Sequence, residues 1–86
     1  MTMHLITLRA TGPRSPVPDP AAVTGLLWEA VRDTDHIEHL RIRASPGQLD
    51  LAVFLLAEHE AAALLTARAL CARALHPTFT GWRLAA

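Results

Sequence analysis

The chain has little of what usually identifies a function, since it has one cysteine, no lysine and no net charge. Its 86 residues contain eight arginines and eight acidic residues, which gives a formal charge of zero at pH 7. This balance argues against binding to nucleic acid or to an anionic membrane. The single Cys71 excludes a disulfide framework within the chain and fits a reducing cytosol, so we expect a cytoplasmic protein.

Long apolar runs are also lacking. The longest, residues 51–57, is far shorter than the roughly 20 residues that a membrane span requires. Residues 1–10 do not have the basic start of a secretion signal. Hydrophobic residues still make up 51% of the chain, which excludes a disordered protein. Lysine, asparagine and tyrosine are absent, so AT-rich codons are avoided, and this predicts a GC-rich bacterial source such as an actinobacterium.

The order of the predicted elements is strand–helix–strand–strand–helix–strand. Apolar alternation predicts strands at 3–10, 37–44, 49–56 and 79–85, and helical periodicity predicts helices from 20 to about 32 and from 58 to 75. Asp19 followed by Pro20 is a typical helix start. The Ser45-Pro46-Gly47 segment predicts a tight turn between the two middle strands. The first strand is apolar on both faces, which is typical of a central strand.

Each predicted helix has an apolar stripe that we expect to face the sheet. The stripes consist of Val23, Leu26, Leu27, Ala30 and Val31 in the first helix and of Ala63, Leu64, Ala67, Leu70, Cys71, Ala74 and Leu75 in the second. On this stripe Cys71 is expected to be a buried, inert thiol. Trp28 and Leu65 lie off the stripes. They either pack at a helix border or form a second contact surface.

This order of elements resembles the ferredoxin-like fold, and the resemblance covers nearly the whole chain, 1–86, as one domain. It implies an α+β sandwich: a four-stranded antiparallel sheet in the order 4-1-3-2, with both helices on one face. Proteins of this fold include metal chaperones, acylphosphatases, RNA-binding modules, small-molecule sensors and oxygenases. The fold therefore does not identify a function.

Several of these functions are excluded by the residues. The loop after the first strand, residues 11–18, has no Cys-x-x-Cys pair for a metal, and its three prolines remove backbone donors that would hold a phosphate. The RNA-binding members stack bases on aromatic residues of the first and third strands, but these strands offer only Phe54, near an acidic Asp50. The five histidines are not spaced to share one metal ion. We therefore predict no metal, no cofactor, no catalytic residue and no nucleic-acid partner.

The sheet face opposite the helices is the remaining candidate site. The strand alternation places Met3, Leu5, Ala52, Phe54, Leu56 and Phe79 on this face, together with Arg9, His39, Arg41, Arg43 and Arg83. A solvated face would alternate to polar residues. An apolar centre surrounded by arginines is instead typical of an interface. The other interpretation is a small domain that merely exposes some apolar surface.

We therefore predict a non-catalytic interaction module that binds a second copy, as a homodimer, or another protein or peptide. Two sheets would pack face to face, as in proteins resembling the dimeric α+β barrel group. The predicted contact residues are the anchors Leu5, Phe54 and Phe79 and the surrounding His39, Arg41, Arg43 and Arg83. The second strand is expected at a sheet edge, where it can also pair with an extended peptide.

The alternative is a small-molecule-binding protein or a cofactor-independent enzyme of the dimeric α+β barrel type. In that case His39, Arg41 and Trp82 are the candidate polar and aromatic residues of a pocket. The two hypotheses differ in shape: a ligand site needs a concave pocket of roughly 300 Å³ or more, whereas an interaction surface is flatter.

Overall fold

A four-stranded antiparallel sheet with two helices packed on one face forms the fold. The computed structural model describes residues 1–76 and 79–85. Its elements are β1 (Thr2–Thr11), α1 (Pro20–Ala30), a short 3-10 helix (Asp33–Asp35), β2 (Ile37–Ser45), β3 (Gln48–Ala57), α2 (Glu60–Leu75) and β4 (Arg83–Leu84). The strand order is β2-β3-β1-β4. This confirms the predicted α+β class and the 4-1-3-2 order, and the arrangement is compatible with a ferredoxin-like fold.

The three long strands form most of the sheet. β1 pairs with β3 in an unbroken register from Thr2 opposite Ala57 to Thr11 opposite Gln48. β2 and β3 form a hairpin with one register shift, between Ile37 and His39. β4 pairs with β1 only at Ala10 and Thr11. Within the described residues β1 is therefore central only near its carboxyl end, not along its whole length as the sequence pattern suggested.

The hydrophobic core lies between the sheet and the helices, as the alternation predicted. Every second residue of β3 is buried, and so are residues of β1, β2 and both helices. The core residues are Ile6, Ala10, Val23, Leu27, Leu40, Leu49, Leu51, Val53, Leu55, Ala57, Ala63, Ala67, Leu70, Cys71, Ala74 and Leu75. Leu64 was predicted on the inner stripe of α2, but it is 41% exposed. Ala63, predicted on the same stripe, is buried as expected, because the helix turns its alanine-rich side to the sheet.

The helix boundaries follow from their caps. Asp19 begins α1, since its carboxylate accepts a hydrogen bond from the Ala21 amide at 3.1 Å. His59 begins α2, since its Nδ1 atom accepts from the Ala62 amide at 3.2 Å, so this helix starts at Glu60 rather than at residue 58. The first helix ends at Ala30, two residues earlier than predicted, because Val31 is already extended.

The predicted last strand, 79–85, is wrong in its first half, and only Arg83 and Leu84 are in β4. The Phe79 amide donates to the Leu75 carbonyl at 2.8 Å, so Phe79 follows the exit of α2 rather than a strand. Gly81 then turns the chain with a φ of +88°, a backbone conformation that favours glycine. Strand alternation therefore does not apply to Phe79.

Candidate interaction surface on the open side of the sheet

The side of the sheet opposite the helices is a continuous surface, called here the open face. Its residues are Met3, Leu5, Thr7 and Arg9 of β1, His39, Arg41 and Arg43 of β2, and Asp50, Ala52, Phe54 and Leu56 of β3. The strand registers place them in rows across the sheet. The alternation of the sequence placed nine of these eleven residues on this face, and the structure adds Thr7 and Asp50.

One end of the open face is apolar. Leu5 lies directly opposite Phe54, and Met3 lies directly opposite Leu56. Leu5 is 54% exposed and Met3 is 50% exposed. The ring of His39 packs against the Phe54 ring with centroids 5.6 Å apart. Two adjacent cross-strand apolar pairs thus remain open to solvent, which makes this end a candidate for burial against a partner.

The other end is rich in arginine and contains one acidic residue. The Arg9 Nε atom donates to Asp50 Oδ1 at 3.0 Å, and Gln48 Nε2 donates to the other oxygen, Oδ2, at 3.0 Å. The pKa of the Asp50 carboxyl is lowered, first by the hydrogen bond from Gln48 and then by the one from Arg9. The nearby charges of Arg9 and Arg43 lower it further. Asp50 therefore stays charged and compensates Arg9.

Arg41 and Arg43 are both exposed. In the described part of the chain, neither side chain donates a hydrogen bond or forms an ion pair. Arg41 lies opposite Ala52, and Arg43 lies opposite Asp50, which Arg9 already pairs. The arginine end therefore carries positive charge that no neighbouring carboxylate neutralises. The formal net charge of the chain is zero, but positive charge is concentrated at this end of the open face.

The open face is concave rather than flat. Residues of β1, β2 and β3 surround an open depression of about 1060 Å³. Its lining includes Leu5, Phe54, His39, Arg41 and Arg43. The depression is broad enough for a ligand, and its width also suits a second protein surface. Curvature of the sheet was not visible in the sequence, since alternation specifies which face a residue is on but not how the face bends.

Three predicted residues lie away from this depression. Phe79 packs against the hydrophobic core. Arg83 lies opposite Thr11, so it is on the predicted side of the sheet but at its far edge. Trp82 packs over Gly12. Phe79, Trp82 and Arg83 instead line a separate cavity of about 230 Å³ beside Cys71. Phe79 is therefore not part of the open face, and Trp82 does not come together with His39 and Arg41.

Trp28 and Leu65, the residues predicted off the helix stripes, are on the helix side of the molecule. Trp28 in α1 is 43% exposed and Leu65 in α2 is 71% exposed. Leu65 is the more exposed of the two, and packing at a helix border does not cover it. A second contact surface at these residues remains a prediction.

The reactive groups of the chain do not converge. Burial raises the pKa of the Cys71 thiol to about 11, so this thiol is protonated at neutral pH and is a poor nucleophile. Among residues 1–76 and 79–85, no three histidine, cysteine or acidic side chains lie together as a metal site would require. His59 instead caps α2 through Nδ1.

Comparisons with protein-family models, with curated proteins and with solved structures gave no match for this chain. None of the helices in the described residues is long and apolar enough to cross a bilayer.

Proposed function

We propose that this chain is a non-catalytic interaction module and that its open face packs against the open face of a second copy. The observation that carries the proposal is the exposed apolar end, where Leu5 faces Phe54 and Met3 faces Leu56 on a sheet that nothing covers within the described chain. Burial of apolar surface is the main favourable contribution to association. In this arrangement Leu5 and Phe54 are the central anchors.

The charges along the strands favour a second copy in one orientation. The row of Arg9, Asp50 and Arg43 lies two rows from the Leu5–Phe54 row on one side. Glu58 is exposed and follows β3 directly, at the opposite end. A two-fold axis over the Leu5–Phe54 row, perpendicular to the strands, places the arginine row of one copy against Glu58 of the other. Glu58 then lies between Arg9 and Arg43 and over Asp50, in a row whose net charge is positive, so the pairing is complementary in net charge. It also brings the two Leu5–Phe54 pairs together.

Light scattering tests this proposal directly. Replacing the central anchor in Phe54→Asp puts a charge into the apolar contact, and we expect the mass of the assembly to halve at a given protein concentration. Phe54→Leu is the matched control, because it keeps an apolar side chain and should retain the assembly. Circular dichroism checks that both variants are folded. An unchanged mass for folded Phe54→Asp would contradict the proposal.

A charge exchange tests the orientation without disturbing the apolar centre. Arg43→Glu places a carboxylate against Glu58 of the second copy, so we expect the dissociation constant to rise roughly tenfold. The double variant Arg43→Glu/Glu58→Arg should restore association. If the double variant is as weak as Arg43→Glu alone, the proposed orientation is wrong.

The concavity supports a second candidate, the small-molecule-binding protein or cofactor-independent enzyme of the dimeric α+β barrel type. Two concave faces would enclose a space with apolar walls and the uncompensated Arg41 and Arg43. Such a space suits a ligand with an apolar body and an anionic group. Octanoate should shift the amide signals of Arg41 and Arg43 in NMR spectra, whereas octylamine at the same concentration should not. Equal responses to the two probes would contradict this candidate.

A further inference from the structure

The two edges of the sheet differ in how they are protected against pairing with another strand. The outer edge of β2 has a register shift between Ile37 and His39, and the strand carries Glu38, Arg41 and Arg43. Bulges and charged side chains are the usual means by which an edge strand avoids pairing. β2 therefore has the features of a protected edge, in contrast to its predicted role in strand addition.

The outer edge of β1 has none of these features between Thr2 and Leu8. This segment contains no acidic residue, no arginine and no proline, and its pairing with β3 shows no register shift. In the described residues, β4 covers β1 only at Ala10 and Thr11, with one more hydrogen bond from the Ala85 amide to the Arg9 carbonyl at 2.7 Å. A flat, neutral edge of this kind is a template for another strand.

The hydrogen bond from the Ala85 amide to the Arg9 carbonyl shows which backbone groups of β1 point to its outer edge. In an antiparallel ladder, alternate residues direct both the N–H and the C=O toward the same neighbouring strand. Because the Arg9 carbonyl points to the outer edge, the N–H and C=O groups of Met3, Leu5 and Thr7 point to the same edge. The donors and acceptors are therefore evenly spaced and symmetric about Leu5.

We propose that this edge pairs with the same edge of a second copy, antiparallel, about a two-fold axis at Leu5. Leu5 then lies opposite Leu5 of the second copy, and Met3 lies opposite its Thr7. The three residue pairs form about six backbone hydrogen bonds. In this register Arg9 of one copy lies opposite the beginning of β1 in the other. The β4 strand of each copy pairs with β1 after Arg9, so it lies outside the paired segment.

Charge favours a second copy of β1 as the occupant. Two neutral Thr2–Leu8 segments bring no like charges together, whereas pairing of two β2 edges would place Arg41 and Arg43 beside their own copies. Pairing at β1 also places the exposed Leu5 side chains of the two copies next to each other on the open face. The apolar ends of two open faces thereby become one continuous surface.

This edge contact is separate from the face-to-face contact proposed above, and the two together give an assembly of four copies. A proline at Thr7 tests the edge contact. Thr7→Pro removes an outward N–H, so it interrupts edge pairing while every β1–β3 hydrogen bond is kept. Thr7→Val is the matched control, since it removes only the hydroxyl and retains the N–H.

Light scattering of four proteins separates the two contacts. We expect a mass about four times the 9.3 kDa of one chain for the wild type and for Thr7→Val, about twice that mass for Thr7→Pro and for Phe54→Asp, and a monomer for the double variant. If Thr7→Pro has the wild-type mass, the edge contact is overturned, whatever the result for Phe54→Asp. If only Phe54→Asp has the wild-type mass, the face contact alone is overturned.

Amide hydrogen exchange of the wild type tests the edge contact without a substitution. The amides of His4, Ile6 and Leu8 bond to β3, so they should exchange slowly at all protein concentrations. The amides of Met3, Leu5 and Thr7 should be protected at high concentration and should lose at least tenfold of this protection on dilution. Fast exchange of these three amides at high concentration would overturn the proposal. Protection that appears only when a Thr2–Leu8 peptide is added would also overturn it.

Discussion

The Arg73 guanidinium donates to the Asp35 carboxylate at 2.8 Å, which joins the last turn of α2 to the short 3-10 helix before β2. The same Asp35 oxygen accepts from the Arg32 amide at 2.8 Å, and the same Arg73 nitrogen donates to the Ala30 carbonyl at 3.0 Å. Among the residues that the structure describes, Asp35 is the one charged residue that is buried. This pair holds the connection from α1 to β2 against α2.

We expect Asp35→Ala to lower the free energy of unfolding by about 2–3 kcal/mol, because removing one partner of a buried pair leaves the other charge uncompensated. The cost lies at the low end for such pairs, since the Arg73 side chain is 26% exposed and water reaches it. Asp33→Ala, in the same 3-10 helix but exposed, is the control and should change stability by less than about 0.5 kcal/mol. Urea unfolding measures both, and equal effects would contradict the role of the pair.

Glycine at position 12 is required by the Trp82 ring. A side-chain carbon at Gly12 would overlap the ring atoms of Trp82, so the indole or the turn must move. We expect Gly12→Ala to destabilise the fold by about 1–3 kcal/mol, as overpacking does, and to shift the Trp82 fluorescence to longer wavelength. Measured in a Trp28→Phe background, the fluorescence comes from Trp82 alone.

The control is the same substitution at Gly25 in α1, where an added carbon meets no atom within 4 Å. Gly25→Ala should stabilise the protein by up to about 1 kcal/mol, because alanine is the better helix former. Opposite signs at the two glycines are expected in thermal unfolding. If Gly12→Ala were neutral, the contact with Trp82 would not be close packing.

The pKa of Asp50 gives a prediction for low pH. Its value in the folded state lies below the ordinary 3.8 because of the hydrogen bonds from Gln48 and Arg9. The resulting stabilisation is present in full above pH 3.8 and is lost as the pH falls through the folded value. It amounts to a few tenths of a kcal/mol, since the Asp50 side chain is 40% exposed.

NMR titration of the Asp50 carboxyl carbon measures this pKa. Gln48→Ala should raise the pKa toward 3.8, and it should raise it more than Arg43→Ala does, because the Gln48 hydrogen bond is the larger cause. A titration that is the same in the wild type and in Gln48→Ala would contradict this assignment.

Local patterns were sufficient for most of the fold. Alternation placed Leu5 and Phe54 on one side of the sheet and Ile6 and Val53 on the other, because successive strand residues point to opposite faces. Asp19 and Pro20 specified the start of α1 by cap chemistry alone. The pattern was wrong for Phe79, where a continuing helical hydrogen bond and the turn at Gly81 interrupt the alternation.

Contacts between residues far apart in the chain could not be read in this way. Asp35 and Arg73 are 38 positions apart, and no local pattern relates them. The same holds for Trp82 over Gly12 and for the concave shape of the open face.

The sequence by itself therefore determined the order of the elements, the faces of the strands and the burial of Cys71, since each depends on periodicity within one segment. Only the tertiary structure decided that charge is polarised along the open face and that Arg41 and Arg43 lack a carboxylate partner in the described chain. It also decided that no described residue pairs with the outer edge of β1 between Thr2 and Leu8. The physical reason is that these properties depend on strand register and on where β4 ends against β1, and both are set by packing between segments.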